Sequence, residues 1–341
     1  MLTDHDETSL NPAEVPVVLL VNLGTPESPH PRDIRRFLRE FLSDRRVIEL
    51  HPVIWKPILE GMILPFRPRR VAENYRSIWT DEGSPLMAQS LAQTRALSTA
   101  LAPHARVALA MRYGAPSVES VLDEVYTQGH RRVLLIPTYP QYAASTTATV
   151  TDALSHYLLK RRDQLEVRTI RSFPSEPAYI EALARALEEH WSQSGRPDFA
   201  SGDRVVASFH SIPQKMHDQG DPYRSECMAT VNALRARLNV SSEELVVTFQ
   251  SVFGPAQWLG PATIDSVAEF ARGGSRRLDV ICPGFMADCL ETIDEIDQLN
   301  RDAFLQAGGE EFFYIPWGNA SRGAVETLET VARRGLSGWV N

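Results

Sequence analysis

The chain has 341 residues, which exceeds the ~250–300 residues at which a single hydrophobic core stops growing and so predicts two domains. Its content of 43% hydrophobic and 23% charged residues is ordinary for a globular protein. The formal net charge of −8 argues against a nucleic-acid partner, because phosphate binding needs a concentrated basic surface.

Cysteine usage indicates a reducing compartment. The three cysteines, Cys227, Cys282 and Cys289, form no C-x-x-C pair, which disfavours a zinc ribbon or a closely spaced iron–sulfur motif. Few, unpaired cysteines suit the cytoplasm. The acidic, polar segment 1–16 is the opposite of the basic start of a signal peptide. We therefore expect a cytoplasmic protein.

Residues 53–66, VIWKPILEGMILPF, come nearest to a membrane span. They are fewer than the ~20 apolar residues that cross a bilayer, and Lys56, Glu60 and two prolines interrupt them. We predict an apolar loop or short helix here.

The first half of the chain alternates between strand and helix patterns. Short runs of largely apolar residues predict strands at 15–24, 106–114, 131–140 and, less apolar, 166–173. Near-continuous apolar runs are typical of strands buried on both faces of a parallel sheet. Helical patterns lie between the strands, at 31–42, 69–80, 84–101, 116–128 and 147–162.

The second half repeats this rhythm. Strands are predicted at 204–213, 244–255, 276–285 and 311–319, and helices at 177–193, 221–238, 261–273, 288–307 and about 321–336. The alternation predicts an α/β fold with two similarly built domains. We place the domains at 1–165 and 166–320, followed by a C-terminal segment, 321–341, that packs back on the first domain.

Ligands of open α/β sheets bind outside the carboxyl ends of the strands, so the strand ends are where chemistry is expected. The first strand is not followed by G-x-G-x-x-G, and the sequence has no P-loop, G-x-S-x-G or H-E-x-x-H motif. The commonest α/β reactions are therefore disfavoured.

His210 follows a predicted strand in the segment SFHSIPQKMHDQGDPY, 208–223. A histidine at a strand end is most often hydrogen-bonded to backbone. The position at a sheet edge favours a functional role, because imidazole accepts a proton near neutral pH or binds a transition metal.

A second candidate is the acidic stripe of the predicted helix 288–307. At 100° per residue, Asp288, Glu291 and Glu295 share one face. A solvated acidic face is the ordinary interpretation. Against it, no lysine or arginine interleaves with these carboxylates, and the helix starts directly after a strand end.

A third cluster, TYPQYAASTTATV at 138–150, places Tyr139 and Tyr142 on a loop that enters a helix. Its hydroxyl residues suit a helix N-cap. Together, the histidine and the carboxylates suit either a divalent metal such as Fe²⁺ or general-base proton removal, and the residues alone leave both open.

Seven blocks make the sequence resemble the ferrochelatase family, in that family's order and over about residues 17–300. They are VNLGTPESPHPRDIRRFLREFLSDRRVIELHP, YRSIWTDEGSPL, MRYGAPSVESVL, PTYPQYAASTTATV, SFHSIPQKMHDQGDPY, FQSVFGPAQWLGPAT and GFMADCLETIDEID.

The resemblance implies two Rossmann-like domains, each a parallel four-stranded sheet flanked by helices, with a porphyrin cleft between them. It implies insertion of Fe²⁺ into protoporphyrin IX, the last step of haem synthesis, with loss of two pyrrole protons. His210 and Glu291 match the catalytic and iron-binding residues, and Asp288 and Glu295 match the acidic path beside them.

The resemblance also implies porphyrin contacts. Matching positions at or near the pocket are Arg67, Tyr75, Ser84, Arg112 and Tyr113, and the walls of the pocket add Tyr139 and Trp258 as candidates. Residues 53–66 match the lip over the cleft mouth, where contact with a membrane surface is an alternative to lining the cleft.

Several positions depart from the family. Cys289 stands where members often have histidine, Val252 where a basic residue is common, and Leu23 where relatives have methionine or an aromatic residue. The C-terminus has no cysteine cluster, so we expect iron as a substrate, no iron–sulfur centre and no resident cofactor. The alternatives are a coproporphyrin ferrochelatase or another porphyrin chelatase and, without catalysis, a haem or porphyrin carrier.

Overall fold

A computed structural model describes residues 13–254 and 256–340 of the chain. The chain divides into two compact units. The first unit consists of the residues up to Ser172 together with Leu328 onwards, and the second unit runs from Phe173 to Thr327.

The first unit is built on a parallel sheet in the strand order β2-β1-β3-β4. The strands are β1 (Val17–Asn22), β2 (Arg106–Met111), β3 (Arg132–Pro137) and β4 (Glu166–Thr169). Strand β4 pairs with β3, so β4 belongs to the sheet of the first unit, whose first segment extends to Ser172.

Several of the helices in the first unit begin at residues whose side chains cap them. They are α1 (Pro31–Ser43), α2 (Pro52–Ile58), α3 (Leu64–Ile78), α4 (Pro85–Leu101), α5 (Val118–Thr127) and α6 (Thr149–Leu159). Helices α1, α2 and α4 each start on a proline, which needs no hydrogen-bond partner there. The side chains of His30, His51 and Ser84 cap these three helices.

Residues 53–66 are helical throughout. They comprise most of α2, a π-helical turn at Leu59–Ile63 and the start of α3. Glu60 does not interrupt the helix, because its exposed carboxylate pairs with Arg39 of α1. Pro65 lies in the first turn of α3, where no backbone N–H is required.

The second unit repeats the architecture, with the strand order β6-β5-β7-β8. Its parallel strands are β5 (Arg204–His210), β6 (Leu245–Gln250), β7 (Arg277–Ile281) and β8 (Glu311–Tyr314). In the described part of the chain, both sheets have four strands flanked by helices, which confirms the predicted fold class.

The helices of the second unit are α7 (Pro177–Ser194), α8 (Gln214–Asp218), α9 (Tyr223–Leu238), α10 (Thr263–Arg272) and α11 (Arg301–Gln306). A 3₁₀ turn covers Phe199–Ser201. The last helix, α12 (Arg322–Leu336), begins in the second unit and ends in the first.

Within the first unit, the end of the chain is held by side chains. Arg168 of β4 donates to the carbonyl oxygen of Gly335 at 2.9 Å, Arg333 donates to that of Ala100 at 2.9 Å, and Trp339 donates to the Glu166 carboxylate at 2.8 Å.

The predicted helix 288–307 is not a continuous α-helix. Residues Glu291–Asn300 form a π-helix, whose hydrogen bonds join residues five apart, and α11 follows. The side-chain amide of Asn300 donates to the Glu295 carbonyl oxygen at 2.7 Å and so adds a bond to this widened turn.

Gly24, after β1, provides a test of backbone packing. Its φ is +108°, and an added Cβ would lie 1.8 Å from the carbonyl oxygen of Tyr113. Gly83 has a similar φ of +98° but open space around it. We expect Gly83→Ala to cost roughly 1–3 kcal/mol through backbone strain alone, and Gly24→Ala to cost clearly more. Urea unfolding of both variants measures the difference, and equal losses would contradict the predicted clash.

Candidate active site

The candidate site of the second unit lies at the carboxyl ends of its parallel strands. His210 is the last residue of β5 and pairs in register with Gln250, the last residue of β6. The neighbouring β7 ends at Ile281 and leads through a loop to the π-helix that carries Glu291 and Glu295. Because these ends share one edge of the sheet, residues far apart in sequence meet there.

The imidazole of His210 is fixed in one tautomer. Its Nδ1 lies 2.7 Å from the carbonyl oxygen of Ser211, which is an acceptor only, so Nδ1 carries the hydrogen. The other nitrogen, Nε2, is therefore the one with a lone pair. A half-buried histidine held in this way can accept a proton or bind a metal through Nε2.

The carboxylate of Glu295 has a raised pKa. Its oxygens accept hydrogen bonds from the backbone N–H of Ser251, at 2.6 Å, and from the Ser251 hydroxyl. Burial raises the pKa of Glu295 above its ordinary value, although these hydrogen bonds and the nearby His210 lower it in part. Glu295 is therefore suited to take up and release a proton.

Glu295 also lines a cavity of about 180 Å³. The residues that line it include the polar Ser251, Thr263 and Asn300 and the apolar Val252, Ile264 and Leu299. A cavity of this size accommodates several water molecules.

Glu291, in the first turn of the π-helix, is tied to the sheet by its backbone. Its carbonyl oxygen accepts from the side-chain amide of Gln250 at 2.8 Å. Burial, and then the nearby negative charge of Glu291, raise the pKa of the Cys289 thiol well above its ordinary value. Cys289 is therefore a protonated thiol next to the glutamate.

Asp288 belongs to a separate hydrogen-bonded cluster. Its carboxylate accepts from the Tyr314 hydroxyl at 2.5 Å, from Asn319 Nδ2 at 2.6 Å and from the Thr292 hydroxyl at 2.9 Å. Its backbone N–H donates to the Asn319 side chain at 2.8 Å. The sequence placed Asp288 on one face with the two glutamates, whereas these contacts make its carboxylate a support for the loop between β7 and the π-helix.

Gln250 and Ser251 were missed by the sequence reasoning. Gln250 Oε1 accepts from the Ser208 hydroxyl at 2.8 Å, and Ser208 also bonds to Thr263 at 2.8 Å. The available signal was their position at the end of a predicted strand, in the block FQSVFGP. Among the residues that the structure describes, no three His, Cys, Asp or Glu side chains are grouped so that they would hold a metal ion.

In the first unit, Arg112 and Tyr113 follow β2 and share a partner that the sequence did not reveal. The carboxylate of Asp44, just after α1, accepts from Arg112 Nη2 at 2.5 Å and from the Tyr113 hydroxyl at 2.9 Å. The Arg112 Nε–H donates to the Thr149 carbonyl oxygen at 2.8 Å. The structure thus joins these two neighbouring predicted porphyrin residues to one carboxylate.

The other predicted porphyrin residues lie in varied environments. The Tyr139 hydroxyl is shielded from solvent and has no hydrogen-bond partner among the described residues. Ser84 is buried and caps α4 through the Met87 N–H, at 3.2 Å. Tyr75 packs edge-on against Trp79, and Arg67 is exposed on α3.

Trp258 is the predicted porphyrin residue of the second unit. It is half-buried and packs edge-on against Phe253, whose carbonyl oxygen accepts from the indole N–H at 2.8 Å.

Known structures share the fold of this chain. SirB from Bacillus subtilis with Fe³⁺ has a TM-score of 0.57 at 12% identity and covers 95% of this chain and 96% of its own. The sirohydrochlorin chelatase SirB from Bacillus subtilis subspecies spizizenii, in complex with cobalt, has a TM-score of 0.56 at 10% identity and covers 94% and 95%. The fold is therefore that of the chelatases.

Sequence comparison identifies the family. The profile of the Ferrochelatase family matches residues 16–336. The ferrochelatases of Bordetella pertussis (strain Tohama I) and Bordetella parapertussis (strain 12822) are each 47% identical over 325 residues, which cover 94% of this chain and 88% of theirs. The chain belongs to the ferrochelatase family, as the seven blocks predicted.

The raised pKa of Glu295 gives a testable dependence of stability on pH. Because the folded protein holds this proton more tightly than the unfolded chain, stability falls as pH rises from 4.5 through the raised pKa. Glu295→Gln does not ionise. We expect its melting temperature to exceed that of the wild type at pH 8, with the gap closing as pH falls towards 4.5.

Glu310→Gln is the matched control, since the pKa of Glu310 is lowered by its bond to Arg276. This variant should be the less stable one at pH 8, with a gap that also closes in acid. If Glu295→Gln behaved in the same way as Glu310→Gln, the raised pKa of Glu295 would be refuted.

Proposed function

We propose that the chain inserts Fe²⁺ into protoporphyrin IX to form protohaem and releases two pyrrole protons. The observation that carries this proposal is His210, whose free Nε2 lies at the sheet edge near a carboxylate of raised pKa, in a chain of the ferrochelatase family. The reaction needs a base for the pyrrole protons and oxygen or nitrogen ligands for a divalent metal. His210, Glu291 and Glu295 supply both.

His210 Nε2 takes a pyrrole proton or contacts the entering metal, and the Nδ1 bond to Ser211 keeps the ring in the required orientation. Glu291 serves the metal or the second proton. Glu295 receives a proton from this region and passes it to the cavity beside it, since burial places its pKa nearer to neutrality than that of an ordinary glutamate.

Asp288 supports the site from behind. Its carboxylate accepts three hydrogen bonds. We therefore propose that Asp288 orients the π-helix, whereas the sequence suggested that it lies on the path of the metal or the protons. Iron is a substrate here, and we propose no resident cofactor and no iron–sulfur cluster. The three cysteines are buried free thiols, which also suits the cytoplasmic location that we propose.

In the first unit, we assign porphyrin contacts to Arg112, Tyr113 and Tyr139. Aromatic rings such as that of the half-buried Tyr139 offer flat apolar surface to a macrocycle, and arginine pairs with carboxylates such as propionates. The shielded, unpartnered hydroxyl of Tyr139 supports a ligand group at this edge, because such a group would satisfy it. Arg67, Tyr75, Ser84 and Trp258 remain proposed contacts on the resemblance alone.

Residues 53–66 are proposed to touch a membrane surface. The exposed fractions are 75% for Val53, 59% for Ile54, 67% for Met62 and 75% for Phe66, and such a group of exposed apolar side chains is unusual for a monomeric surface. In the described part of the chain, no helix has the length and apolar character needed to cross a bilayer. The proposed contact is therefore peripheral.

Replacement of His210 tests the proposed chemistry. We expect His210→Ala to lower the rate of metal insertion about 10²- to 10⁴-fold while porphyrin binding persists, because the base is lost and the walls are not. Insertion of Zn²⁺ or Fe²⁺ is followed by the change in porphyrin fluorescence, and binding by fluorescence titration. His217→Ala is the control, and it should insert metal at the wild-type rate. Near-wild-type insertion by His210→Ala would refute the assignment.

The membrane contact has its own test. We expect Val53→Ser combined with Phe66→Ser to weaken binding to phosphatidylglycerol-containing vesicles by at least about tenfold, because two exposed apolar anchors are lost. Leu159→Ser is the control, since Leu159 is 80% exposed on α6, outside this segment. Co-sedimentation measures all three proteins. Equal binding by the double variant and the wild type would contradict the proposal.

A further inference from the structure

We propose that Asp44 is a positioning residue for the porphyrin site, acting through Arg112 and Tyr113. This inference rests on the proposed function, in which both of those residues contact the macrocycle. Asp44 itself is assigned no contact with porphyrin or metal.

Both oxygens of the Asp44 carboxylate accept hydrogen bonds. One oxygen accepts from both Arg112 Nη2, at 2.5 Å, and the Tyr113 hydroxyl, at 2.9 Å. The other oxygen accepts from the backbone N–H of Arg46 at 2.8 Å. The side chains of Asp44 and Arg112 are only 11% and 18% exposed, so their ion pair is shielded from water and stronger than a surface pair.

Asp44 is itself held at the end of α1. Its backbone N–H donates to the Phe41 carbonyl oxygen at 3.3 Å, and its own carbonyl oxygen accepts from the N–H groups of Val47 and Ile48 at 3.1 and 2.9 Å. The ring of Phe41 packs edge-on against Tyr113 at 5.1 Å. The carboxylate therefore projects from a fixed backbone, which is what a positioning residue requires.

These contacts fix the orientation of the Arg112 side chain. Its Nε–H donates to the Thr149 carbonyl oxygen, its Nη2 donates to Asp44, and its guanidinium carbon lies 4.4 Å from the centre of the Tyr113 ring. Two edges of the planar group are thereby fixed. Nη1 has no partner among the described residues, so the group presents one defined edge to a ligand.

Loss of Asp44 removes both restraints at once. The guanidinium of Arg112 would turn about its remaining bond to Thr149, and the buried Tyr113 hydroxyl would lose its acceptor. A purely structural ion pair would change stability but would not change the affinity for porphyrin selectively. These two roles therefore differ in a measurable way.

The test compares Asp44→Asn with Asp123→Asn. Asp123 also pairs with an arginine of the first unit, Arg161, but contacts none of the proposed porphyrin residues. With Zn²⁺ and protoporphyrin IX as probes, we expect Asp44→Asn to raise the KM for porphyrin about tenfold, with the KM for Zn²⁺ unchanged, and Asp123→Asn to change neither. An unchanged porphyrin KM in Asp44→Asn would overturn the inference.

A double-variant comparison tests whether Asp44 acts through Arg112. In an Arg112→Leu background, Asp44→Asn should raise the porphyrin KM no further, because the group that it orients is absent. Additive effects would overturn the proposal. Asp44→Glu keeps the charge and should recover part of the affinity, and it replaces Asp44→Asn in the same comparison if that variant does not fold.

Measurements on the wild-type protein distinguish a failure of the proposed function from a failure of the inference about Asp44. If the wild type inserts no metal, the proposed function is wrong and the role of Asp44 falls with it. If the wild type is active and Asp44→Asn has the wild-type KM for porphyrin, only the inference about Asp44 is wrong.

Discussion

The buried side-chain amide of Gln250 is the interaction on which the candidate active site depends. Its oxygen accepts from Ser208 on β5, and its nitrogen donates to the backbone of Glu291 at the start of the π-helix. One side chain thus joins two strands to the element that carries the glutamates. Because a buried amide left without partners costs more than its bonds contribute, the strand ends and the π-helix keep a common geometry.

The sequence predicted those parts of the molecule that depend on local patterns. Continuous apolar runs located the strands, and the resemblance to ferrochelatases identified the family, which the profile and the Bordetella relatives confirm. A predicted strand end pointed to His210, and the acidic face of the predicted helix 288–307 pointed to Glu291, without the resemblance. The residue roles assigned to them stay predictions that the proposed experiments address.

Other features depend on contacts between distant residues or on backbone choices without a local signal. Asp44 and Arg112 are 68 positions apart, and no local sequence pattern around either residue predicts their ion pair. The π-helix at Glu291–Asn300 obeys the same amphipathic pattern as an α-helix, so periodicity predicted the latter. Asp288 lies before the π-helix, and its carboxylate bonds to Tyr314 and Asn319, which are 26 and 31 positions away.

The protonated thiol of Cys289 has a consequence for the metal selectivity of the site that we propose at Glu291. A thiolate beside Glu291 would be a soft ligand and would hold copper or zinc tightly. Burial keeps the sulfur protonated. The surroundings of Glu291 therefore offer oxygen and nitrogen ligands but no thiolate that would bind a soft metal tightly. A metal that must be handed on to another molecule is better served by such weak, exchangeable ligands than by a site that retains it.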